Sequence, residues 1–422
     1  MGDGDEFEVT SSEPAGGYAV CAECFGDGDI QAFVRSCIDT NECDFCGRRS
    51  RRRPIAAPLD EVFDFIFSAI DREYERAVDA LGWNGAEGGF QGSHWDSAEL
   101  LEAIGLELPN DDGRLFDILV ECLGDEVWCE RDPYSLREDE RLVASWEAFC
   151  SSIKHERRYF FLRKKKKRFD SEYLAPSDLL RFISETVNQH ELARTLPPGS
   201  LIYRARQLRP GQVLRTPYDF GPPPMELATS PNRMSPAGIV MFYGSEERET
   251  AIAEIDDDRT LGIAVGTFRT MREATILDLT VLPKRLGFFE QQSDTSEVNR
   301  YALEFLHRFV RSLAAKVEPG GREHIDYVPT QVVTEWFRSA FRHRKKLIDG
   351  IRYMSAQHTG GRSLVLFADR HDVVLSARQI GKVAKTMGIE EWELRSDHRN
   401  AWLKLLRKRV ERKARRRRRR SR

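Results

Sequence analysis

The chain has 422 residues, of which 32% are charged and 41% hydrophobic, with a net charge of −3. Domains of roughly 100–200 residues predict two to four of them. No apolar run reaches the about 18 residues of a membrane-spanning helix, so no membrane span is expected. The acidic start MGDGDEFEVT lacks an apolar core of a secretory signal. A cytoplasmic location follows as the expectation, in which the eight cysteines read as thiols or metal ligands and not as a disulfide framework.

In chain order, residues 1–16 are acidic and rich in Gly and Ser, and are expected to be disordered. Residues 17–56 form a zinc-binding module. Cys21-Ala-Glu-Cys24 is followed by Cys43-Asp-Phe-Cys46-Gly47. Each CxxC pair puts two thiolates on one tight turn, and two such turns close a tetrahedral S₄ site for structural zinc. A closed site leaves no open coordination position, so Cys21, Cys24, Cys43 and Cys46 are expected to hold a non-catalytic metal. Cys37 lies between the pairs, as a buried thiol or a spare ligand. Cys122, Cys129 and Cys150 read as core residues.

Residues 57–195 read as helical. Leu59, Val62, Phe63, Ile66, Ile70, Tyr74, Val78 and Leu81 recur at spacings of three and four and predict one apolar helix face. Gly82–Gly92 reads as a loop. It is no phosphate cradle, since no Gly-Lys-Ser/Thr follows and no apolar strand precedes it. Further helices are predicted near 97–105, 113–123, 138–156 and 177–193, with Asp96 and Ser177 as N-caps. A basic run, Arg163–Arg168, reads as a solvated face.

At Leu196-Pro-Pro-Gly199 the pattern changes, and residues 196–375 form the next predicted domain. Short β-branched runs (Leu201–Ala205, Ile239–Tyr243, Leu261–Phe268, Ala274–Leu279, Leu364–Ala368, Val373–Leu375) alternate with helical stretches near 246–256, 298–316 and 329–341. This is an α+β pattern without regular βαβ units. Residues 376–403 read as a helical extension. Residues 404–422 hold 13 basic residues and one acidic residue, so a mobile basic tail is expected there. It is either a solubilising tail or a contact for a polyanion such as nucleic acid.

One stretch contains an unusual set of polar residues. Arg204 lies in a strand-like run, Arg233 in a loop, and Tyr243 ends a strand. Glu254 falls on the otherwise apolar helical segment Thr250–Ile255. A buried carboxylate needs a partner or a polar cleft. Two readings stay open on the residues alone: a core Glu254 salt-bridged to Arg204 or Arg233, or a catalytic Glu254.

The ordered motifs Tyr203-Arg204, Arg233-x-x-Pro236-x-Gly238, an aromatic strand ending in Tyr243, and Thr250-Ala251-x-x-Glu254 resemble the RES family. Gly350-Ile-Arg-Tyr-Met-Ser355 supplies the family serine. The likeness spans about Ser200 to Leu375. It implies a fold similar to ADP-ribosyltransferase toxins and the consumption of NAD. Cleaving the nicotinamide–ribose bond builds oxocarbenium character. The resemblance then implies Glu254 as the stabilising carboxylate, Arg204 on the pyrophosphate with Arg233 as a second candidate, and Tyr243 against nicotinamide. It implies Ser355 as a group orienting Glu254 or substrate. It also implies a bacterial defence or toxin–antitoxin role, with an inhibitor or antitoxin protein as partner.

This chain departs from the family pattern in a long Arg204–Tyr243 spacing with a Pro-rich insert at Gly221–Pro224, and in Ser363 where many members have Asn. The double CxxC and His155-x-x-Arg158-Tyr-Phe-Phe resemble, in addition, a module found ahead of RES and HEPN effector domains. An alternative function is a HEPN-like ribonuclease or nucleic-acid-binding effector. It would use the basic tail and an Arg-x₄-His pair, Arg338 and His343, or the equally loose Arg300 and His307.

Overall fold

The computed structural model describes residues 10–86, 88–159, 173–209, 212, 214, 217–255, 262–290, 300–315, 322–375 and 403–411, the last segment as backbone only. The expected basic run Arg163–Arg168, residues 376–402 of the expected 376–403 extension and the arginine run Arg415–Arg420 lie outside the described residues. Helices and strands mix without βαβ alternation, giving the α+β class. Two compact units form: residues 1–140 with 285–300, and residues 141–284 with 301–422. The first of these units leaves off near Glu140, ahead of the Leu196–Gly199 turn.

The first unit holds the cysteine module and a helical core. Strands Ala19–Cys21 and Ala56–Pro58 pair antiparallel. Helix Gly28–Ser36 is capped by Asp27, whose Oδ1 accepts from the Asp29 and Ile30 amides at 2.8 and 3.1 Å, satisfying donors a helix start leaves free. Glu13–Ala15 is a short 3₁₀ turn with Ala15 buried, so the expected disorder of residues 1–16 does not extend over its last residues. Helix Leu59–Glu73 buries Leu59, Val62, Phe63, Ile66 and Ile70 as the spacing predicts.

The predicted continuation through Tyr74, Val78 and Leu81 does not hold. Tyr74–Arg76 leaves the helix as a strand on Val127–Glu130. The Tyr74 ring packs edge-on against Trp95 at 5.8 Å, and Val78 is exposed. Aromatic packing and strand pairing win over a periodicity that helix and strand share at this length. The Gly82–Gly92 stretch contains a small hairpin, Trp83–Asn84 on Gly89–Phe90. Asp96 forms a full capping box with Glu99 at helix Ser97–Ala103. Phe289 joins this core from far along the sequence, which ties residues 285–300 to the first unit.

The second unit opens with most of helix Glu138–His155 and with helix Pro176–Gln189. The latter is entered through Ala175, and not Ser177, because Pro176 occupies the first turn, where its missing amide costs nothing. Both helices pack on the C-terminal half: Trp146 on Phe309 at 5.0 Å, and Phe182 on Phe305 at 5.9 Å. That packing explains why the unit begins before the Pro-Pro-Gly turn.

The sheet of this unit contains β1 (Ala193–Leu196), β2 (Leu201–Gln207), β3 (Phe242–Ser245), β4 (Ile263–Thr270), β5 (Ala274–Asp278), β6 (Gly350–Met354), β7 (Arg362–Leu366), β8 (Val373–Leu375) and β9 (Leu403–Glu411). Their order is β8-β9-β4-β2-β3-β7-β6-β5-β1. Pairs β5–β6 and β8–β9 are parallel and the others antiparallel. Residues 404–411, expected in the mobile tail, thus pair with β4 together with Leu403, expected in the helical extension; backbone hydrogen bonds hold them in spite of the charge of the segment.

One face of the sheet buries Ile202, Phe220, Phe242, Phe268, Ile276, Leu364 and Leu366. Ala205, Ile263 and Val265 pack with Ala251 of helix Arg248–Ala253. The decisive detail is at β2 and β3. β2 pairs with β4 from Leu201 to Gln207 but meets β3 only at Tyr203–Ser245. Beyond that pair the two strands part, and a cleft opens between them.

Candidate active site

The fork between β2 and β3 forms a cavity of about 470 Å³ lined by Arg204, Arg206, Ser235, Tyr243, Glu254, Tyr353 and Ser363, among others. Three of the four expected catalytic residues, Arg204, Tyr243 and Glu254, therefore share one cavity. The fourth, Ser355, is bonded to Glu254.

Arg204 comes from β2 and is 8% exposed. Its guanidinium lies over the Phe242 ring at 5.1 Å, within cation–π range. Its Nη1 is buried without a hydrogen-bond partner among the described residues. Burial, and secondarily the nearby Arg206, hold the guanidinium well below its usual pKa, with Tyr243 acting the other way. An arginine keeps its charge in a protein, so this strain expresses a cation set where an anion would relieve it.

Tyr243 shares a hydrogen bond of 3.0 Å with Ser235 Oγ. Burial pushes its pKa up to about 12, against the opposing pull of Ser235, the Met234 backbone, Arg204 and Arg233. The phenol is therefore protonated at neutral pH. Ser235 owes its place to helix Val328–Ser339. Gln331 Nε2 donates to the carbonyls of Asn232 and Ser235 at 2.8 and 3.3 Å, and Thr330 Oγ1 donates to the Arg233 carbonyl.

Glu254 follows the last turn of helix Arg248–Ala253 and is exposed. Its Oε1 accepts from Ser355 Oγ at 2.7 Å and Ser363 Oγ at 2.9 Å. No salt bridge involves it among the described residues, so the core ion pair with Arg204 or Arg233 is absent. Ser355 Oγ also accepts from the amides of Gln357 and His358, both at 3.1 Å. The His358 ring meets Thr250 Oγ1 at 2.7 Å, and Thr250 donates to Glu247 at 3.1 Å. Burial would raise the Glu247 carboxyl; the Arg362 amide and guanidinium and the Thr250 hydroxyl outweigh it and hold the group below its usual value. The motif threonine is thus the middle link of a hydrogen-bond chain, Glu247–Thr250–His358, that fixes the turn carrying Ser355.

Arg233 stands apart from the cavity lining. Its Nη1 donates to the carbonyls of Leu313 and Ala315 at 3.0 and 2.6 Å. These lie at the end of helix Arg300–Ala314, where free carbonyls attract cations. The structure thus places Arg233, expected as a second candidate for the pyrophosphate, on a helix end.

Sequence reasoning did not single out Ser363 as a site residue, nor Tyr353, Ser235 and Arg206. Ser363 is 2% exposed and Tyr353 9%. They face each other across β7 and β6 in register. Burial first, and then the charge of Glu254, push the Tyr353 pKa upward. The signal for Ser363 was present: it stands where family members carry another hydrogen-bonding side chain.

The ribonuclease candidates do not assemble. Helix Val328–Ser339 ends before His343, which bridges to Lys346 in a turn, so Arg338 and His343 do not share a helix face. Arg300 is bound to Glu73, and His307 to the Pro283 carbonyl at 2.8 Å.

In the first unit, the Sγ atoms of Cys21, Cys24, Cys43 and Cys46 lie within 4.8 Å of one another. Contacts are 3.8 Å for Cys21–Cys24, 3.4 Å for Cys21–Cys46 and 3.6 Å for Cys24–Cys43. Tetrahedral bonds of about 2.3 Å to zinc would set sulfurs about 3.8 Å apart. Hydrogen bonds from Cys21 and Cys24 favour the thiolate of Cys43, so the donor set is chemically suited to a cation. Cys37 is outside the group, its thiol turned to the Phe33 and Val34 carbonyls at 3.4 and 3.7 Å. Cys122 and Cys129 are buried, and desolvation pushes both up to about 11. No helix among the described residues is long and apolar enough to cross a membrane.

A family model of the RES domain matches residues 201–397, beginning at the first residue of β2 and containing Arg204, Tyr243, Glu254, Ser355 and Ser363. The chain carries a RES domain. A model of HEPN/RES N-terminal domain 1 matches residues 38–167 ahead of the RES domain, and includes Cys43 and Cys46. No curated protein and no solved structure matches the chain. The RES match covers the whole of the forked cavity's lining, so the cavity is that of the RES domain itself.

Proposed function

We propose that this RES-domain chain consumes NAD by cleaving the bond between nicotinamide and ribose. The observation that supports this best is the fork between β2 and β3. It sets a buried arginine with no counter-ion among the described residues and a carboxylate held by two hydroxyls on one cavity. The unpaired Arg204 suits the pyrophosphate, and Tyr243 supplies a flat, protonated ring for nicotinamide. As nicotinamide leaves with the bonding electrons, positive charge grows on the ribose. Glu254 stabilises that charge. Both serines bind Oε1, and Oε2 has no partner among the described residues, so it is available to the ribose. Ser355 and Ser363 orient the carboxylate and do not touch the reacting atoms.

This arrangement serves hydrolysis, phosphorolysis and transfer of ADP-ribose to a protein alike, and the product distinguishes them. The biological reading is an effector in bacterial defence or toxin–antitoxin control, restrained by an inhibitor protein. The four cysteines hold a structural zinc ion in this reading.

The test is nicotinamide release from NAD by the purified chain, with and without phosphate. Glu254→Gln is expected to lower the rate by about 100-fold or more, the scale on which an electrostatic stabiliser acts. Since Glu254 is exposed, folding should survive the change. An unchanged rate in Glu254→Gln, or no release by the parent chain, would overturn the proposal. RNA cleavage lost in Arg338→Ala would favour a ribonuclease instead.

A further inference from the structure

Arg206 lies two residues beyond Arg204 on β2, and both line the same cavity. Residues two apart on a strand share a face at a separation of about 6.5–7 Å. Two cations there repel, and Arg206 contributes to the lowered pKa of Arg204. Neither guanidinium is in an ion pair with a carboxylate among the described residues. Arg206 Nη2 donates to the Gly221 carbonyl at 2.8 Å. Its Nε, like Nη1 of Arg204, is buried with no hydrogen-bond partner among the described residues. A single carboxylate or phosphate would answer one of these cations. A diphosphate answers both, because each phosphate carries its own charge and its own acceptor oxygens.

The two arginines also differ in their neighbours. Arg204 is the one that interacts with Tyr243. Arg206 is the one tied to Gly221, at the start of the Pro-rich insert, whose Pro223 lines the cavity together with Leu227 and Ala228. We propose that Arg204 and Arg206 together hold the diphosphate of the dinucleotide, with Arg206 taking the phosphate farther from the nicotinamide–ribose bond. The insert then forms the wall on the adenosine side, and the Gly221 carbonyl sets the Arg206 guanidinium. This inference rests on the NAD reading above. It gives the role first expected of Arg233 to a residue on the strand itself.

The experiment compares NAD with nicotinamide mononucleotide, which offers the same scissile bond and only one phosphate. The parent chain should prefer NAD strongly by kcat/KM. Arg206→Gln, whose amide can still donate to the Gly221 carbonyl, should raise KM for NAD by about 10–100-fold, the loss expected of a charge-assisted bidentate contact. It should lower turnover of the mononucleotide far less than that of NAD. Arg206→Lys should recover part of the loss, since it restores charge without the planar fork.

A merely structural role for Arg206 would lower both substrates together, and that result overturns the proposal, as does an unchanged preference for NAD. If Arg206→Gln does not fold, inhibition of the parent chain by ADP and by AMP decides. ADP should be at least tenfold the better inhibitor, and equal inhibition overturns the proposal. If the parent chain releases no nicotinamide, the NAD reading fails by itself. Calorimetry with ADP and AMP then tests the arginine pair: tighter binding of ADP, lost in Arg206→Gln, supports it, and equal or absent binding overturns it.

Discussion

Glu254 shows how a carboxylate can be held without an ion pair. Two serine hydroxyls reach it from separate parts of the chain, Ser355 after β6 and Ser363 on β7. A hydrogen bond to a charged group contributes about 1.5–3 kcal/mol. Ser363→Ala should therefore lower kcat for nicotinamide release by about 10–100-fold while KM changes little, because the serine acts on the carboxylate and not on the substrate. Ser355→Ala should act in the same direction. The double variant should lose less than the product of the two, as groups sharing one acceptor couple. A full product of losses would show that the serines act independently.

Tyr243 carries a pH prediction. Its pKa rises to about 12 in the fold against about 10 in an unfolded chain. A raised pKa gives stability that is complete below pH 10 and disappears as pH rises through 12. Over that window the loss is about 2–3 kcal/mol at most. Denaturation midpoints of the second unit should fall more steeply from pH 9.5 to 12 in the parent chain than in Tyr243→Phe. The variant should start lower at pH 8, having lost the Ser235 bond. Parallel slopes would remove Tyr243 from the account.

Glu254, Arg204, Tyr243 and Ser355 were legible because each sits in a short motif with fixed local spacing. Tyr353 was not, because its meeting with Ser363 depends on strand register, which no local pattern encodes.

At the scale of elements, the site exists because β2 and β3 touch at one residue pair and then diverge. Gly244 lies next to that pair. A methyl group there would come within 2.5 Å of Ile202 Cγ2 and 3.1 Å of the Tyr203 carbonyl. Neither is the end of a long flexible side chain, so the strands themselves must move. Gly244→Ala should cost about 1–3 kcal/mol, the scale of overpacking, and should raise KM for NAD by shifting one wall of the cleft. Normal melting with normal KM would show that the fork tolerates the shift.

The strands of β-branched residues were visible from sequence, whereas β6 was not. It begins with Gly350 and carries Arg352, whose charge is answered by Asp278 at 2.7 Å and Glu246 at 2.6 Å. Both partners are distant in sequence, so no local pattern marks Arg352 as a strand residue. β9 was missed for a related reason. Counting charge predicts repulsion, but strand pairing is made by backbone groups that every residue type carries.

At the scale of the whole molecule, the chemistry is divided. Every residue of the forked cavity belongs to the second unit, and all four clustered cysteines to the first. A structural metal contributes its binding free energy to folding, because the unfolded chain holds no preformed site. Cys24 is fully buried in the first unit's core with Val20, Phe25 and Ile30, so loss of the metal should loosen that core as well as the turns. The full chain should contain one zinc ion, measured by atomic emission, and Cys24→Ser should contain little or none. The variant should melt at a lower temperature in its first transition, while nicotinamide release at 25 °C stays within about twofold, since no site residue depends on those sulfurs. Full metal content in Cys24→Ser would end the four-sulfur assignment. A parallel collapse of nicotinamide release would instead show that catalysis in the second unit depends on the metal-held core of the first, and the N-terminal module would then be part of the enzyme and not an appendage to it.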